Sequence, residues 1–185
     1  PAILCGNTVV WKPSEDAPTI AYLFMQAMVD AGLPAGVVNV VNGKGAGHTG
    51  QFMIEGIDKG FFQKFSFTGS TAVGRLIGEA CGRQLQIPSL ELGGKNPMIV
   101  MEDADLDNAV SAAIWSAYGT AGQRCTSLGN LILHKDIAAE FKTKFLEAIT
   151  KMEMGNPIEH PDVTYGPMMN ARSAERFLEH FEMGK

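Results

Sequence analysis

Two side chains stand out for chemistry, a thiol and a carboxylate. Cys125 lies in Gly119-Thr120-Ala121-Gly122-Gln123-Arg124-Cys125-Thr126-Ser127, a glycine-flanked turn after a helix of small residues. With Arg124 beside it and little apolar bulk nearby, this thiol is set for thiolate chemistry rather than packing. A single loop cysteine is nonetheless structural or incidental as often as catalytic. Glu91 is an acid inside an apolar stretch, Leu90-Glu91-Leu92-Gly93-Gly94. Buried at a domain junction, it would have its pKa raised into the range of a general base, and a buried salt bridge is the equal alternative. Cys5 and Cys81 sit in more ordinary settings.

A second group of residues suits a nucleotide. In Phe67-Thr68-Gly69-Ser70-Thr71-Ala72-Val73-Gly74, Gly69 permits a tight turn and Ser70 or Thr71 can cap a helix. The helix dipole and its free N–H groups then face whatever anion sits there. Lys12 and Glu15 end the first strand, where a carboxylate can accept from a ribose diol and repel a 2′-phosphate; solvated charges are the plainer alternative. Gly45, Gly47 and Gly50 spell GxGxxG between a strand and a helix, but the following strand ends Ser66-Phe67-Thr68-Gly69, without the acid that the usual fingerprint requires. Asp103, Asp105 and Asp107 resemble the start of a calcium loop, yet Asn108 and Ile114 stand where glycine and glutamate are needed, so helix capping is the better account. No metal site is expected. His48, His134, His160 and His180 show no HExxH pattern and no close pairing.

The elements that must position these groups follow from hydrophobic pattern and punctuation. Strands are predicted at 9–11, 37–41, 64–67, 90–92, 98–101 and 128–134. Helices are predicted at 19–31, 51–55, 71–81, 106–118 and 137–151. Alternating strands and helices build a parallel sheet covered on both faces, with ligands bound at the carboxyl ends of the strands. The fold class is therefore α/β, with a domain boundary placed near residue 92. In 185 residues, 45% are apolar and 19% charged, so the chain can bury a core; 15 Lys plus Arg against 20 Asp plus Glu give a net charge of −5 and no pull toward nucleic acid. No apolar run reaches the length of a membrane span and no signal peptide is visible, so a cytoplasmic protein is expected. Three widely spaced cysteines without a CxxC pair disfavour a disulfide framework. With Pro1 first and Lys185 directly after a helical pattern, the chain reads as a fragment of a longer protein.

In order and spacing the chain resembles the aldehyde dehydrogenase superfamily along its whole length. The matching stretches are PAILCGNTVVWKPSE, AGLPAGVVNVV, FSFTGSTAVGR, LELGGKNPMIVMEDADLDNAV, GTAGQRCT, and GNP followed by YGP. The resemblance implies an atypical Rossmann-type parallel sheet over 1–91, the NAD-binding part, and part of a second α/β catalytic domain over 92–185. It implies Cys125 as nucleophile and Glu91 as general base. Lys12, Ser14 and Glu15 become contacts of the adenosine ribose, and Gly69, Ser70 and Val73 the turn and helix start beneath the pyrophosphate. The GxGxxG at Gly45 becomes a segment lining the adenine pocket. NAD is expected over NADP, a small aldehyde as substrate, and a dimeric or tetrameric parent.

The implied reaction oxidises an aldehyde to a carboxylic acid through a cysteine thiohemiacetal and a thioester. The family's oxyanion-hole amide falls before Pro1 and its second ribose glutamate after Lys185, so the isolated chain is expected to be inactive. GTAGQRCT, WKPSE and the YGP after GNP look most like the α-aminoadipic semialdehyde dehydrogenase branch, implying a semialdehyde with a distal charge. Two other readings are a coenzyme-A-acylating dehydrogenase, which would have no use for Glu91, and a non-catalytic nucleotide-binding or structural relative, against which Cys125 and Glu91 argue.

Overall fold

Residues Pro1 to Lys185 are all described by a computed structural model. Along the chain run β1 (Val9–Trp11), α1 (Pro18–Asp30), β2 (Val38–Val40), α2 (Thr49–Asp58), β3 (Ser66–Gly69), α3 (Thr71–Arg83) and β4 (Ser89–Leu92). They are followed by β5 (Asn96–Val100), α4 (Leu106–Tyr118), β6 (Leu128–Leu133), α5 (Ala138–Ile149) and α6 (Ala171–Met183). The class is α/β. Contacts divide the chain into two units, Pro1–Leu90 and Glu91–Lys185, so the division falls inside β4 and Glu91 belongs to the second unit. No helix is long and apolar enough to cross a membrane.

The strands form three two-stranded sheets, β1 with β2, β3 with β4 and β5 with β6, so the first three strands, whose alternation with helices predicts a parallel sheet, do not all lie in one. The first pair is parallel in the register Val9↔Val38 to Trp11↔Val40, and β5 runs parallel to β6 from Asn96↔Leu128 to Val100↔Leu133. A central parallel strand is buried on both faces. Here Val10 and Ile99 are exposed, so each pair is covered on one face and stops at its own edge.

In the first unit, Ile57, Ile77, Ala80 and Cys81 are buried at the meeting of α2 and α3, with Phe62, Phe65, Phe67 and Leu90 packed around them. Asp58 and Arg83 lock the two helices by a two-pronged ion pair, Nε to Oδ1 at 2.9 Å and Nη2 to Oδ2 at 2.7 Å. Gln84 adds a hydrogen bond to the Asp58 carbonyl at 3.2 Å. The core of the second unit is Val100, Val110, Ala113, Ile137 and Phe141. Phe141 stacks on Phe145 with ring centroids 5.8 Å apart. Asp105 caps α4 by accepting from the Asn108 amide at 3.0 Å, and Asp107 accepts from Lys144 of α5 at 2.6 Å. These acids thus shape helix ends and hold helices together, as a capping role requires.

The Arg83 guanidinium holds the Asp58 carboxyl below its ordinary value of 3.8. A depressed carboxylate contributes stability at neutral pH and loses that contribution as pH falls through its folded-state pKa. Asp58→Asn should therefore lower the urea midpoint of the first unit at pH 7. As pH falls through the folded-state pKa of Asp58, below its ordinary 3.8, the midpoints of variant and wild type should converge; a difference that persists unchanged would mean that the ion pair is not its source.

Candidate active site

Cys125 is placed by a backbone that would not hold itself. After α4 ends, Thr120 (φ 55°, ψ 34°), Ala121 (φ 54°, ψ 33°) and Gly122 (φ 70°) lie consecutively in the left-handed region. For a residue with a Cβ this conformation costs roughly 1–2 kcal/mol. The turn closes by a hydrogen bond from the Gln123 amide to the Thr120 carbonyl at 3.1 Å. Three side chains clamp it. The Gln123 amide nitrogen donates to the Thr120 carbonyl at 3.2 Å and to the Pro167 carbonyl at 3.4 Å, while its oxygen accepts from the Met169 amide at 2.8 Å. Arg124 turns back on α4, donating to the Trp115 carbonyl at 2.7 Å with its guanidinium 5.0 Å above the Trp115 ring. Asn96, at the start of β5, donates to the Cys125 carbonyl at 2.8 Å and to the Ser127 carbonyl at 2.9 Å.

Cys125 itself is exposed. Arg124 is expected to stand as a cation beside the thiol; its guanidinium is instead spent on the end of α4 and the indole ring. Glu91 also departs from expectation. It lies on an exposed position of β4, between the half-buried Leu90 and Leu92, so the burial expected to act on it is not present. Both groups belong to the second unit. Cys81 is the contrast, fully buried in the first unit, where desolvation pushes its thiol up despite Lys64.

In the first unit, Glu15 reaches across the sequence. Its Oε2 accepts from the Gly45 amide at 2.7 Å, joining the carboxylate to the first glycine of GxGxxG. The Gly50 backbone packs so closely on Gly45 that a Cβ there would lie 2.8 Å from the Gly45 carbonyl oxygen, which only glycine avoids. Lys12 donates to the Pro13 carbonyl at 3.0 Å, and the Ser14 hydroxyl accepts from the Asp16 amide at 3.3 Å. Ser70 caps α3 by accepting from the Val73 amide at 3.3 Å. Gly69 is expected to supply a tight turn; its φ is not left-handed, and a Cβ on it would meet the Phe67 ring, which would have to shift.

Asn96 and Gln123 escaped the sequence reading, although both sit inside quoted motifs, LELGGKNP and GTAGQRCT. Their signal was an amide beside a glycine-rich turn, the residue type that ties loose carbonyls and amides together. A cavity of about 380 Å³ lies beneath α4, bounded by Val110, Ile114, Trp115, Ala148 and Met152. None of the candidate residues lines it, and its walls are mainly apolar.

An exposed thiol after a glycine turn, an acid two residues ahead of Gly93-Gly94, and a capped βα turn occur here in one order along an α/β chain. The model of the Aldehyde dehydrogenase family matches residues 1–185. The chain belongs to the aldehyde dehydrogenase family. It is 42% identical to Aldehyde dehydrogenase 1A1 of Bos taurus, covering 100% of this chain and 36% of that one. It is 40% identical to Salicylaldehyde dehydrogenase of Pseudomonas putida, covering 94% and 36%. D-glyceraldehyde dehydrogenase (NADP(+)) of Picrophilus torridus is 36% identical, with 100% and 36% covered. Among solved structures, PnpE from Pseudomonas sp. WBC-3 matches with a TM-score of 0.89 and 41% identity over 97% of this chain and 36% of that one. PnpE has also been solved with nicotinamide adenine dinucleotide. Lactaldehyde dehydrogenase from Escherichia coli matches with a TM-score of 0.88 and 38% identity over 95% and 36%. This aldehyde dehydrogenase chain thus spans about a third of the length of these relatives. The finer likeness to the α-aminoadipic semialdehyde branch finds no support among them.

The Asn96 clamp predicts a graded response. Asn96→Ala leaves two carbonyls to water or to nothing, at about 1–2 kcal/mol, whereas Asn96→Asp sets a carboxylate against both. In urea denaturation the Asp variant should be the weaker of the two. Equal midpoints for both variants and wild type would show that the clamp carries no energy.

Proposed function

We propose that this chain is the cofactor-holding and nucleophile-bearing part of an enzyme that oxidises an aldehyde to a carboxylic acid. The observation that carries the reading is the clamped loop. A strained backbone held by Gln123, Arg124 and Asn96 presents one exposed thiol, and strain of this kind is maintained where a group must be held in place.

The residues of the first unit fit a dinucleotide. With Oε2 fixed by the Gly45 amide, the Glu15 carboxylate keeps Oε1 to accept from a ribose diol, and its charge opposes a 2′-phosphate. Lys12 and Ser14 precede it in the segment after β1. Ser70 takes up the Val73 amide, while the amides of Thr71 and Ala72 in the first turn of α3 have no partner within the helix. Gly69 keeps that approach open. These groups would hold NAD, and NAD rather than NADP is the cofactor we assign. Bound there, it supplies the acceptor for the hydrogen and electron pair removed from the substrate.

The chain's own residues supply the rest. Cys125 as thiolate attacks the aldehyde carbon, and the carbonyl oxygen takes the negative charge of a tetrahedral thiohemiacetal. After oxidation the adduct is a thioester on Sγ. Glu91 accepts a proton from water, the water oxygen attacks the acyl carbon, and the C–S bond breaks to return the thiolate and release the acid. A thioester hydrolyses slowly in neutral water, so an exposed acid available to a water molecule suits this step.

Two measurements test the reading. Excess aldehyde should protect Cys125, but not the exposed Cys5, from iodoacetamide; equal protection of both would remove Cys125 from the role. In an NAD-linked aldehyde assay of a protein of the relatives' full length that carries this chain, Cys125→Ser should abolish NADH formation. Glu91→Gln should permit the first turnover and slow later ones by about 10²-fold or more. Coenzyme-A-dependent turnover indifferent to Glu91→Gln would replace hydrolysis with acyl transfer.

A further inference from the structure

Gln123 makes contacts that its position beside the thiol does not by itself require. One amide serves two places: its nitrogen donates to the Thr120 carbonyl, inside the left-handed turn, and to the Pro167 carbonyl, while its oxygen accepts from the Met169 amide. The segment so joined is itself tied down. Gly155 donates to the Tyr165 carbonyl, and the Glu153 carbonyl accepts from the Thr164 amide, so 153–165 closes on itself just before Pro167. On the other side of Gln123, the loop passes directly into the Arg124–Ser127 turn. There the Arg124 amide donates to the Ser127 hydroxyl at 3.3 Å, the Ser127 amide donates to the Arg124 carbonyl at 3.1 Å, and Cys125 lies between them.

We propose that Gln123 is a positioning residue for Cys125, holding Thr120 and Ala121 in the left-handed turn by bracing them against the segment Pro167–Met169. The proposal rests on reading Cys125 as the nucleophile, but its content is geometric. Thr120 and Ala121 each carry a Cβ in a conformation that disfavours one, so the turn relaxes when its brace is removed. Relaxation moves the start of the Arg124–Ser127 turn, and with it the thiol. The other two clamps act at different points. Arg124 ties the loop to the end of α4, and Asn96 takes the Cys125 and Ser127 carbonyls; neither side chain hydrogen-bonds to Thr120 or Ala121. Inside the turn the Gln123 backbone amide bonds the Thr120 carbonyl and the Thr120 hydroxyl bonds the Gly119 carbonyl, so Gln123 is the side chain that braces the turn against residues outside it.

A structural role and a positioning role differ in where the effect ends. If Gln123 merely fastens residues 167–169, its loss frees the Met169 amide and nothing more. If it positions Cys125, the disturbance also reaches the Arg124 and Ser127 amides, and removing the strain elsewhere repairs it. Hydrogen exchange read by mass spectrometry on the 185-residue chain separates the two, with the β6 and α5 amides as the reference for an intact second unit. In Gln123→Ala, exchange at Met169, Arg124 and Ser127 should rise about tenfold or more while the reference amides keep their protection. Adding Thr120→Gly and Ala121→Gly, which make the left-handed turn cheap, should return Arg124 and Ser127 to within about twofold of wild type and leave Met169 fast.

Fast exchange confined to Met169 in the single variant would overturn the proposal, as would a triple variant whose Arg124 and Ser127 amides stay fast. If Gln123→Ala alone loses the reference protection, the triple variant decides: slow Arg124 and Ser127 amides support the proposal, and fast ones or an unfolded second unit overturn it. None of these results depends on turnover. A failure of Cys125 as nucleophile would show in the aldehyde-protection experiment and not here.

Discussion

The constraint on which the site depends is a backbone held against its preference. Three consecutive residues before Arg124-Cys125 occupy the left-handed region, two of them with a Cβ. Such a turn persists only where neighbouring groups over-determine it. Here the neighbours are drawn from the whole second unit: Trp115 from α4, Asn96 from β5, and Pro167 and Met169 from the stretch before α6. The thiol is therefore local in sequence but non-local in support. Any change that loosens α4 against α5, or frays the start of β5, is felt at Cys125 through these carbonyls.

The same economy appears in the first unit, where a single carboxylate does the joining. Glu15 follows the short β1 and reaches the amide of Gly45, which lies between β2 and α2. The sequence presents WKPSE and the glycine run as separate motifs, one for a ribose and one a misleading fingerprint. In the folded chain they are one arrangement, because the amide of the first glycine orients the Glu15 carboxylate. Gly50 is explained by backbone crowding on Gly45 and Gly47 by its left-handed φ of 69°, and neither needs a pyrophosphate.

Elements with strong local signals were legible. Helix 106–118 was read with its ends because Asp105 caps it and the small-residue run stops at Gly119. Strand 9–11 was bounded by Pro13. The helix whose core is predicted at 51–55 runs from Thr49 to Asp58, and Gly50 and Gly56, which look like turn residues, serve packing inside it. Sheet pairing was not legible. Three or four apolar residues predict a strand but carry nothing about which neighbour it takes or whether both faces are covered. The residues carrying the candidate chemistry were legible by type, while their surroundings were not. Arg124 reads as a cation beside a thiol until its contacts with Trp115 are seen, and Glu91 reads as buried until alternation along β4 turns it outward.

That distinction explains why the supporting residues were missed. A nucleophile or a base is identifiable from its own functional group, whereas a support is identifiable only from what it touches. Asn96 and Gln123 carry the same neutral amide and perform opposite halves of one task. Asn96 presents both of its N–H groups to carbonyls on either side of Thr126, which fixes the chain after the thiol. Gln123 uses donor and acceptor together, which fixes the chain before it. At position 123 a charged side chain would not serve: a carboxylate lacks the donors, and an ammonium lacks the acceptor that the Met169 amide requires. At position 96 only donors are needed, so a carboxylate is excluded there and the amide meets the two carbonyls with its two N–H groups. The neutrality of Gln123 is thus dictated by the backbone groups it satisfies, while the charged clamp, Arg124, has its guanidinium on the Trp115 carbonyl and ring.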